Sequence, residues 1–353
     1  FVGLTMKRTL TYDDVNIVPK YSELESRSKV DLTTRFTKNT VLTIPIVSSP
    51  MDTITELDMA LEMMDWGAVG VIHRFQSIEK QARMMELLHM DWLKWLQPSD
   101  NWMKRPLCAA VGVKDDYLER AKELVKNGCN VLFIDIAHGH HKLMSNAISK
   151  LKGENNVEVV AGSVATAEGV RFLCEQGADS VRVGVGNGSL CETRIRTGVG
   201  VPQVSALLDA VAVADAYDTP IIADGGVRTI GDVCKGLGCG ADTIMLGSLL
   251  SGTKETPGEI EKVGEWPNEQ LFKKYRGSAS RDSKGDDKNV EGNHTIVPYK
   301  GKVKRILHDI RDGINSSCSY VGASNISEYH SNVEFVEVTG AGQIEASPHL
   351  LRN

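Results

Sequence analysis

The sequence predicts an α/β fold, a (β/α)₈ TIM barrel. Three observations carry that prediction: eight short apolar, β-branched runs, amphipathic stretches between them, and helix ends that return to a strand through one repeated glycine pattern. The runs are Ile44–Ser49, Ala68–His73, Leu107–Val113, Val131–Ile136, Val157–Gly162, Ser180–Val185, Pro220–Asp224 and Thr243–Ser248. Strands apolar on both faces belong to a buried parallel sheet. Between them, Asp116–Lys126 sets Leu118, Ala121, Leu124 and Val125 on one helical face, and Thr166–Glu175 does the same with Val170, Leu173 and Cys174. The pattern recurs as Asn127-Gly128-Cys129-Asn130, Gln176-Gly177-Ala178-Asp179 and Cys239-Gly240-Ala241-Asp242, where glycine supplies the left-handed residue that ends a helix. Eight such units close most naturally into a barrel; a doubly wound open sheet is the alternative.

Two stretches stand outside the repeat. Residues 6–43, with Tyr12-Asp13-Asp14-Val15, read as an N-terminal arm across the barrel. Residues 258–300 follow the eighth strand, and their middle, Gly277–Asn293, is nearly free of large apolar side chains, which makes it a mobile flap. The tail contains an amphipathic helix at Val303–Ile314, and its last dozen residues read as loose. Phe1–Thr5, ahead of Met6, read as leftover tag sequence. Residues 6–353 are therefore expected to form a single catalytic barrel with the flap inserted in it, and no regulatory module.

Composition narrows the function. A 353-residue chain with formal net charge -6 and pI near 5.9 lacks the cationic surplus that holds phosphate backbones, so a small-molecule ligand is expected and nucleic acid is not. No apolar run approaches the roughly 20 residues of a membrane span, and no secretory signal opens the chain, which points to a cytoplasmic enzyme without a membrane partner. Seven cysteines without a CxxC pair fit reduced thiols better than disulfides or zinc.

Barrel enzymes keep their chemistry at the C-terminal ends of the strands. After the sixth strand comes Gly184-Val185-Gly186-Asn187-Gly188-Ser189-Leu190-Cys191-Glu192-Thr193-Arg194. Its glycines permit tight turns and present Cys191 on a loop, where neighbouring Thr193 and Arg194 favour a nucleophilic thiolate. A small buried hydrophobe is the ordinary fate of a free cysteine, and that reading suits the other six. Asp224-Gly225-Gly226-Val227-Arg228 and Leu246-Gly247-Ser248 follow strands seven and eight, the usual phosphate-binding corner of such barrels. Asp224 can cap the next helix or grip a ribose diol. After strand four, Asp135 reads as a ribose hydroxyl acceptor, and His138, His140 and His141 as a solvated loop rather than a metal site.

These segments, with Ser49-Pro50-Met51-Asp52-Thr53, Ile134-Asp135-Ile136-Ala137-His138-Gly139-His140 and Met245-Leu246-Gly247-Ser248, resemble the IMP dehydrogenase and GMP reductase family from about residue 8 to residue 325. Five motifs in order make the resemblance specific. Within it, the flap lacks the Arg-Tyr pair with which dehydrogenases activate water: Arg281 is followed by Asp282. Tyr275-Arg276-Gly277-Ser278-Ala279-Ser280, Lys288-Asn289-Val290-Glu291-Gly292 and Arg196-Thr197-Gly198-Val199-Gly200 are similar to bacterial GMP reductases, and the tandem regulatory repeat (CBS module) that dehydrogenases usually carry between strands two and three is missing. Two residues depart from the family: Asn187 replaces its usual proline, and Glu192 its usual threonine, placing a carboxylate beside the thiol.

The resemblance implies an NADPH-dependent GMP reductase, in which Cys191 attacks C2 of the purine and Thr193 and Glu291 relay a proton to departing ammonia. It implies a purine nucleoside monophosphate held by Met51, Ser189, Asp224, Gly225, Gly226, Gly247, Ser248, Tyr275, Gly277, Ser278 and Ala279. It places the cofactor on Asp135, Ala137, His138, Gly184 and Gly186, and a potassium ion on the carbonyls of Gly186, Gly188 and Cys191. A homotetramer is usual for such enzymes. The alternatives are an NAD-dependent IMP dehydrogenase and a catalytically silent nucleotide-binding protein.

Overall fold

A computed structural model of the chain describes residues 6–95, 105–265, 267–280 and 290–346. Eight parallel strands form a closed barrel: β1 Ile46–Ser48, β2 Val69–Ile72, β3 Cys108–Val111, β4 Val131–Asp135, β5 Glu158–Val164, β6 Ser180–Val183, β7 Ile221–Asp224 and β8 Thr243–Leu246. Each pairs with the next, and β8 returns to β1 with Ile244 opposite Ile46, which excludes the open sheet. The eight sequence runs all become strands, shortened mostly at their ends. Among the described residues, the helices of nine or more residues are α1 Leu57–Asp65, α2 Ile78–Trp95, α3 Tyr117–Lys126, α4 Lys142–Glu154, α5 Ala167–Glu175, α6 Gln203–Ala214, α7 Ile230–Gly238 and α8 Val303–Tyr320. The last outruns the predicted Val303–Ile314 because Cys318 continues its buried face.

Inside the barrel, Val47, Val69, Phe133, Val160, Ile222 and Met245 pack with Phe36 from the arm. Phe36 lies between the short paired strands Thr34–Arg35 and Val41–Leu42. This hairpin sits at the N-terminal ends of the barrel strands, where Thr34 Oγ1 donates to the Asp242 carbonyl and Thr40 Oγ1 to Glu158. The arm therefore plugs the bottom of the barrel and leaves the top for chemistry.

The glycine pattern has a second purpose. Gly128, Gly177 and Gly240 all take positive φ, and the polar residue two places on accepts a main-chain N–H from the preceding strand's entry: Asn130 from Leu107, Asp179 from Val159 and Asp242 from Ile221. Lys152 neutralises Asp179 at 2.8 Å, whereas burial pushes the Asp242 carboxyl up to about 6. The folded chain thus holds that proton more tightly than the unfolded chain, so stability is highest below the unfolded value near pH ~4 and declines as pH rises through about 6. Asp242→Asn keeps the acceptor. It is expected to raise Tm at neutral pH, by at most about 3 kcal/mol in stability, and to flatten the decline in melting curves taken across that window.

The flap base is an antiparallel sheet of β9 Glu261–Val263, β10 Gln270–Arg276 and β11 His294–Pro298. Lys273 is buried beneath it, donating to the carbonyls of Thr253, Lys254 and Thr256. Residues 281–289, including Arg281, Lys288 and Asn289, lie outside the described residues, as do Phe1–Thr5 and residues 347–353. Of the last dozen residues, expected to be loose, 342–345 continue the helix Gly340–Glu345; ahead of it, Phe335–Glu337 pairs with Val15–Ile17. Among the described residues, no helix is long and apolar enough to cross a membrane.

Candidate active site at the top of the barrel

A cavity of about 560 Å³ opens at the C-terminal ends of the strands. It gathers Met51, Asp135, Ala137, Gly184, Gly186, Gly188, Ser189, Cys191, Thr193 and Asp224, together with Gly225, Gly226, Gly247, Ser248, Tyr275, Gly277, Ser278, Ala279 and Glu291. His138 is the exception: it lines a neighbouring cavity of about 450 Å³, which shares Arg74, Ile136 and Ala137 with the first.

Cys191 is half-buried, whereas the other six thiols are buried. Burial pushes Cys129, Cys239 and Cys318 up to about 12 and Cys234 to about 11, which makes them inert at neutral pH. Cys191 Sγ donates to Thr193 Oγ1 at 3.1 Å, and Thr193 Oγ1 donates to Glu291 Oε2 at 2.7 Å. The loop owes its path partly to Gly184, whose φ is +152° and where an added Cβ would lie 1.8 Å from the Asp224 carbonyl oxygen. Gly184→Ala is expected to cost about 3 kcal/mol or more and to remove activity, read as a lowered denaturant midpoint together with lost turnover.

The flap is sewn to this loop by its backbone. Glu192 N donates to the Glu291 carbonyl at 2.7 Å, Asn293 N to the Leu190 carbonyl at 3.0 Å, and Cys191 bridges Gly292 in antiparallel fashion. Glu291 N donates in turn to Ala279, and Gly277 N to Asn293. At its base, Arg276 pairs with the half-buried Asp52 at 2.7 Å, and Ser189 meets the Tyr275 hydroxyl at 2.9 Å.

Two expectations about the loop change. Arg194 sends its guanidinium to Asn187 and to the Val201 carbonyl, so it braces the glycine loop from beneath; its hydrogen bonds do not go to the thiol. Glu192, which the sequence sets beside the thiol, is paired instead with Arg196 at 2.6 Å and receives Asn293 Nδ2 at 3.3 Å. The Asn187 side chain makes contacts a proline could not, reaching Gln203 and Arg194, while its backbone carbonyl takes the Gly226 N–H and ties the cysteine loop to the end of β7. Gly226 lines the cavity, but that N–H is already used.

At the cavity floor, a buried arginine overlooked in the sequence joins two predicted carboxylates. Arg182 Nη2 donates to Asp135 at 2.8 Å, and its Nε lies 3.6 Å from Asp224. Arg74 adds an ion pair to Asp135 at 3.5 Å, and Ser163 donates to Asp224 at 3.2 Å. Burial pushes Asp135 up, but the two guanidiniums outweigh it and hold the carboxyl below the usual range. Burial raises Asp224, with Asp135 adding to the effect against the pull of Arg182. An arginine inside an otherwise apolar barrel strand was the signal available in Ser180–Val185, since a buried guanidinium requires partners.

The sequence and structure find clear counterparts. Residues 9–349 match the IMP dehydrogenase / GMP reductase domain. Inosine-5'-monophosphate dehydrogenase from Nitrosopumilus maritimus is 34% identical, over 98% of this chain and 99% of its own. That alignment runs to 478 positions, more than the 353 residues here, so the relative carries a long stretch without a counterpart. GMP reductase from Leishmania donovani is 31% identical over 98% of this chain and 97% of its own. The crystal structure of a cysteine-to-alanine variant of GMP reductase from Trypanosoma brucei, in complex with guanosine 5'-monophosphate, superposes with a TM-score of 0.88 at 31% identity, covering 98% of each chain. With its barrel closed, its cysteine loop at the sixth strand and almost its whole length matched, the chain belongs to the IMP dehydrogenase / GMP reductase family of oxidoreductases.

Proposed function

We propose that the enzyme is an NADPH-dependent GMP reductase, converting GMP, NADPH and two protons to IMP, ammonium and NADP⁺. The observation that carries this reading is the unbroken chain from Cys191 through Thr193 to Glu291, a nucleophile joined to a carboxylate that can take its proton and give it back. As Cys191 Sγ bonds to C2 of the purine, its proton passes through Thr193 to Glu291, the direction in which the hydrogen bonds run, and the same path returns a proton to the exocyclic amine as it leaves. Bound NADPH supplies the hydride that C2 takes up. The C2–sulfur bond then breaks, leaving IMP, and the closed flap keeps water from the intermediate. Met51, Ser278 and Ala279 flank the base, Asp224 and Gly225 take the ribose, and Gly247 and Ser248, with Gly226 beside them, face the phosphate. Asp135, Ala137, Gly184 and Gly186 would hold the nicotinamide end, and His138, in the neighbouring cavity, would hold the remainder of the cofactor.

A potassium ion on the carbonyls of Gly186, Gly188 and Cys191 suits the donor set, neutral oxygens on a tight glycine turn. The Gly188 carbonyl accepts the Cys191 N–H at 3.0 Å and keeps a second lone pair for a cation. A cytoplasmic homotetramer is the state this reading expects.

The dehydrogenase reading has one observation in its favour: the relatives from Nitrosopumilus maritimus and Cryptosporidium parvum, at 34% and 36% identity, are IMP dehydrogenases. Against it, the flap has no Arg-Tyr pair, and Arg276 at its base is committed to Asp52. Mixing the protein with GMP and NADPH in potassium buffer, with IMP and NAD in parallel, separates them. NADPH consumption with ammonia release supports the reductase; NADH formation from IMP overturns it.

A further inference from the structure

We propose that Arg182 is a positioning residue for the nucleotide, standing between Asp135 and Asp224 so that both remain available as acceptors for ribose hydroxyls. This rests on the reading that Asp224 takes the ribose of the substrate. Arg182 is 5% exposed and lies on β6 between the two carboxylates. Its direct hydrogen bond goes to Asp135; Asp224, at 3.6 Å, has the weaker share. Asp135 has a second cation in Arg74, whereas Arg182 is the one ion-pair partner of Asp224 among the described residues. The other groups facing Asp224 are Asp135 from β4, Ser163 from β5, Tyr275 from the flap and Tyr12 from the arm. Both tyrosines are held above their ordinary range by burial, so neither supplies a positive charge or titrates near neutrality.

Without Arg182, a buried Asp224 beside an anionic Asp135 takes up a proton. A protonated carboxyl is a donor on one oxygen and cannot accept two hydroxyls side by side. The guanidinium of Arg182 therefore does for Asp224 what Arg74 does for Asp135.

The test is GMP binding by calorimetry, without cofactor, from about pH 6 to about pH 8, with intact folding checked by thermal melts. The parent is expected to bind with nearly constant affinity. Arg182→Met is expected to lose affinity as pH falls, approaching about tenfold per pH unit, and to recover as it rises. Arg182→Lys, which keeps the charge and the fold, is expected to restore most of the flat profile. Asp224→Asn is the control: it should bind weakly at every pH. If Asp224→Asn binds GMP like the parent, the ribose assignment fails. If it binds weakly while Arg182→Met gives a pH-independent affinity, the assignment stands and the role of Arg182 is overturned. Should Arg182→Met not fold, a lysine variant weakened equally at all pH values overturns it as well.

Discussion

The Cys191→Ala protein is expected to bind GMP with nearly unchanged affinity and to turn it over at least about 10⁴-fold more slowly than the parent. The size of the loss follows from the covalent route: without sulfur at C2, the amine has to leave from an unactivated purine. The side chain lost is small and half-buried on a loop held by main-chain bonds, so binding has little reason to change. The other six thiols are buried and cannot substitute. Calorimetry for GMP and single-turnover absorbance of the reduced nicotinamide separate the two quantities. Activity within about tenfold of the parent would remove the covalent step from the mechanism, whereas lost binding would make Cys191 a structural residue.

Glu291→Gln is the second large effect. The amide has the shape of the carboxyl and still accepts from Thr193, but it can neither take up the thiol proton nor pass one to the leaving amine, so kcat should fall by about 10²–10⁴-fold with GMP affinity largely retained. Thr193→Val breaks the same chain one atom earlier, removing the hydroxyl that receives Cys191 at 3.1 Å and reaches Glu291 at 2.7 Å. If the three groups act as a unit, the double variant is no slower than the worse single one. Independent, multiplying losses in steady-state kinetics would show that Thr193 and Glu291 serve different steps.

The barrel was legible because its strands are buried on both faces, and a continuous apolar run marks such a strand without reference to partners. The cysteine loop was legible for a different reason: glycines at a strand end have few structural purposes beyond close approach. What the sequence concealed depends on pairing between distant segments. Arg182 vanished inside the apolar run Ser180–Val185, and its meaning emerges only when β4 and β7 bring Asp135 and Asp224 to either side. The flap strand Gln270–Arg276 reads as polar, since its buried positions include Lys273, satisfied by three carbonyls that no local pattern foretells. Arg194 and Glu192 were assigned by adjacency to Cys191, but successive side chains in a turn diverge, and each found a partner elsewhere.

The stitching of flap to cysteine loop sets which changes in chain length the enzyme tolerates. Glu291 is placed by its carbonyl, which accepts from Glu192, by its N–H, which donates to Ala279, and by the Leu190 and Gly277 contacts of Asn293. None of these anchors falls between Ser280 and Val290. A change of length within that connection that preserves these anchors is expected to leave the carboxyl where it is. A single residue inserted between Glu291 and Asn293 has the opposite effect, because a ribbon alternates its side chains and a slip of one turns the acid away from Thr193.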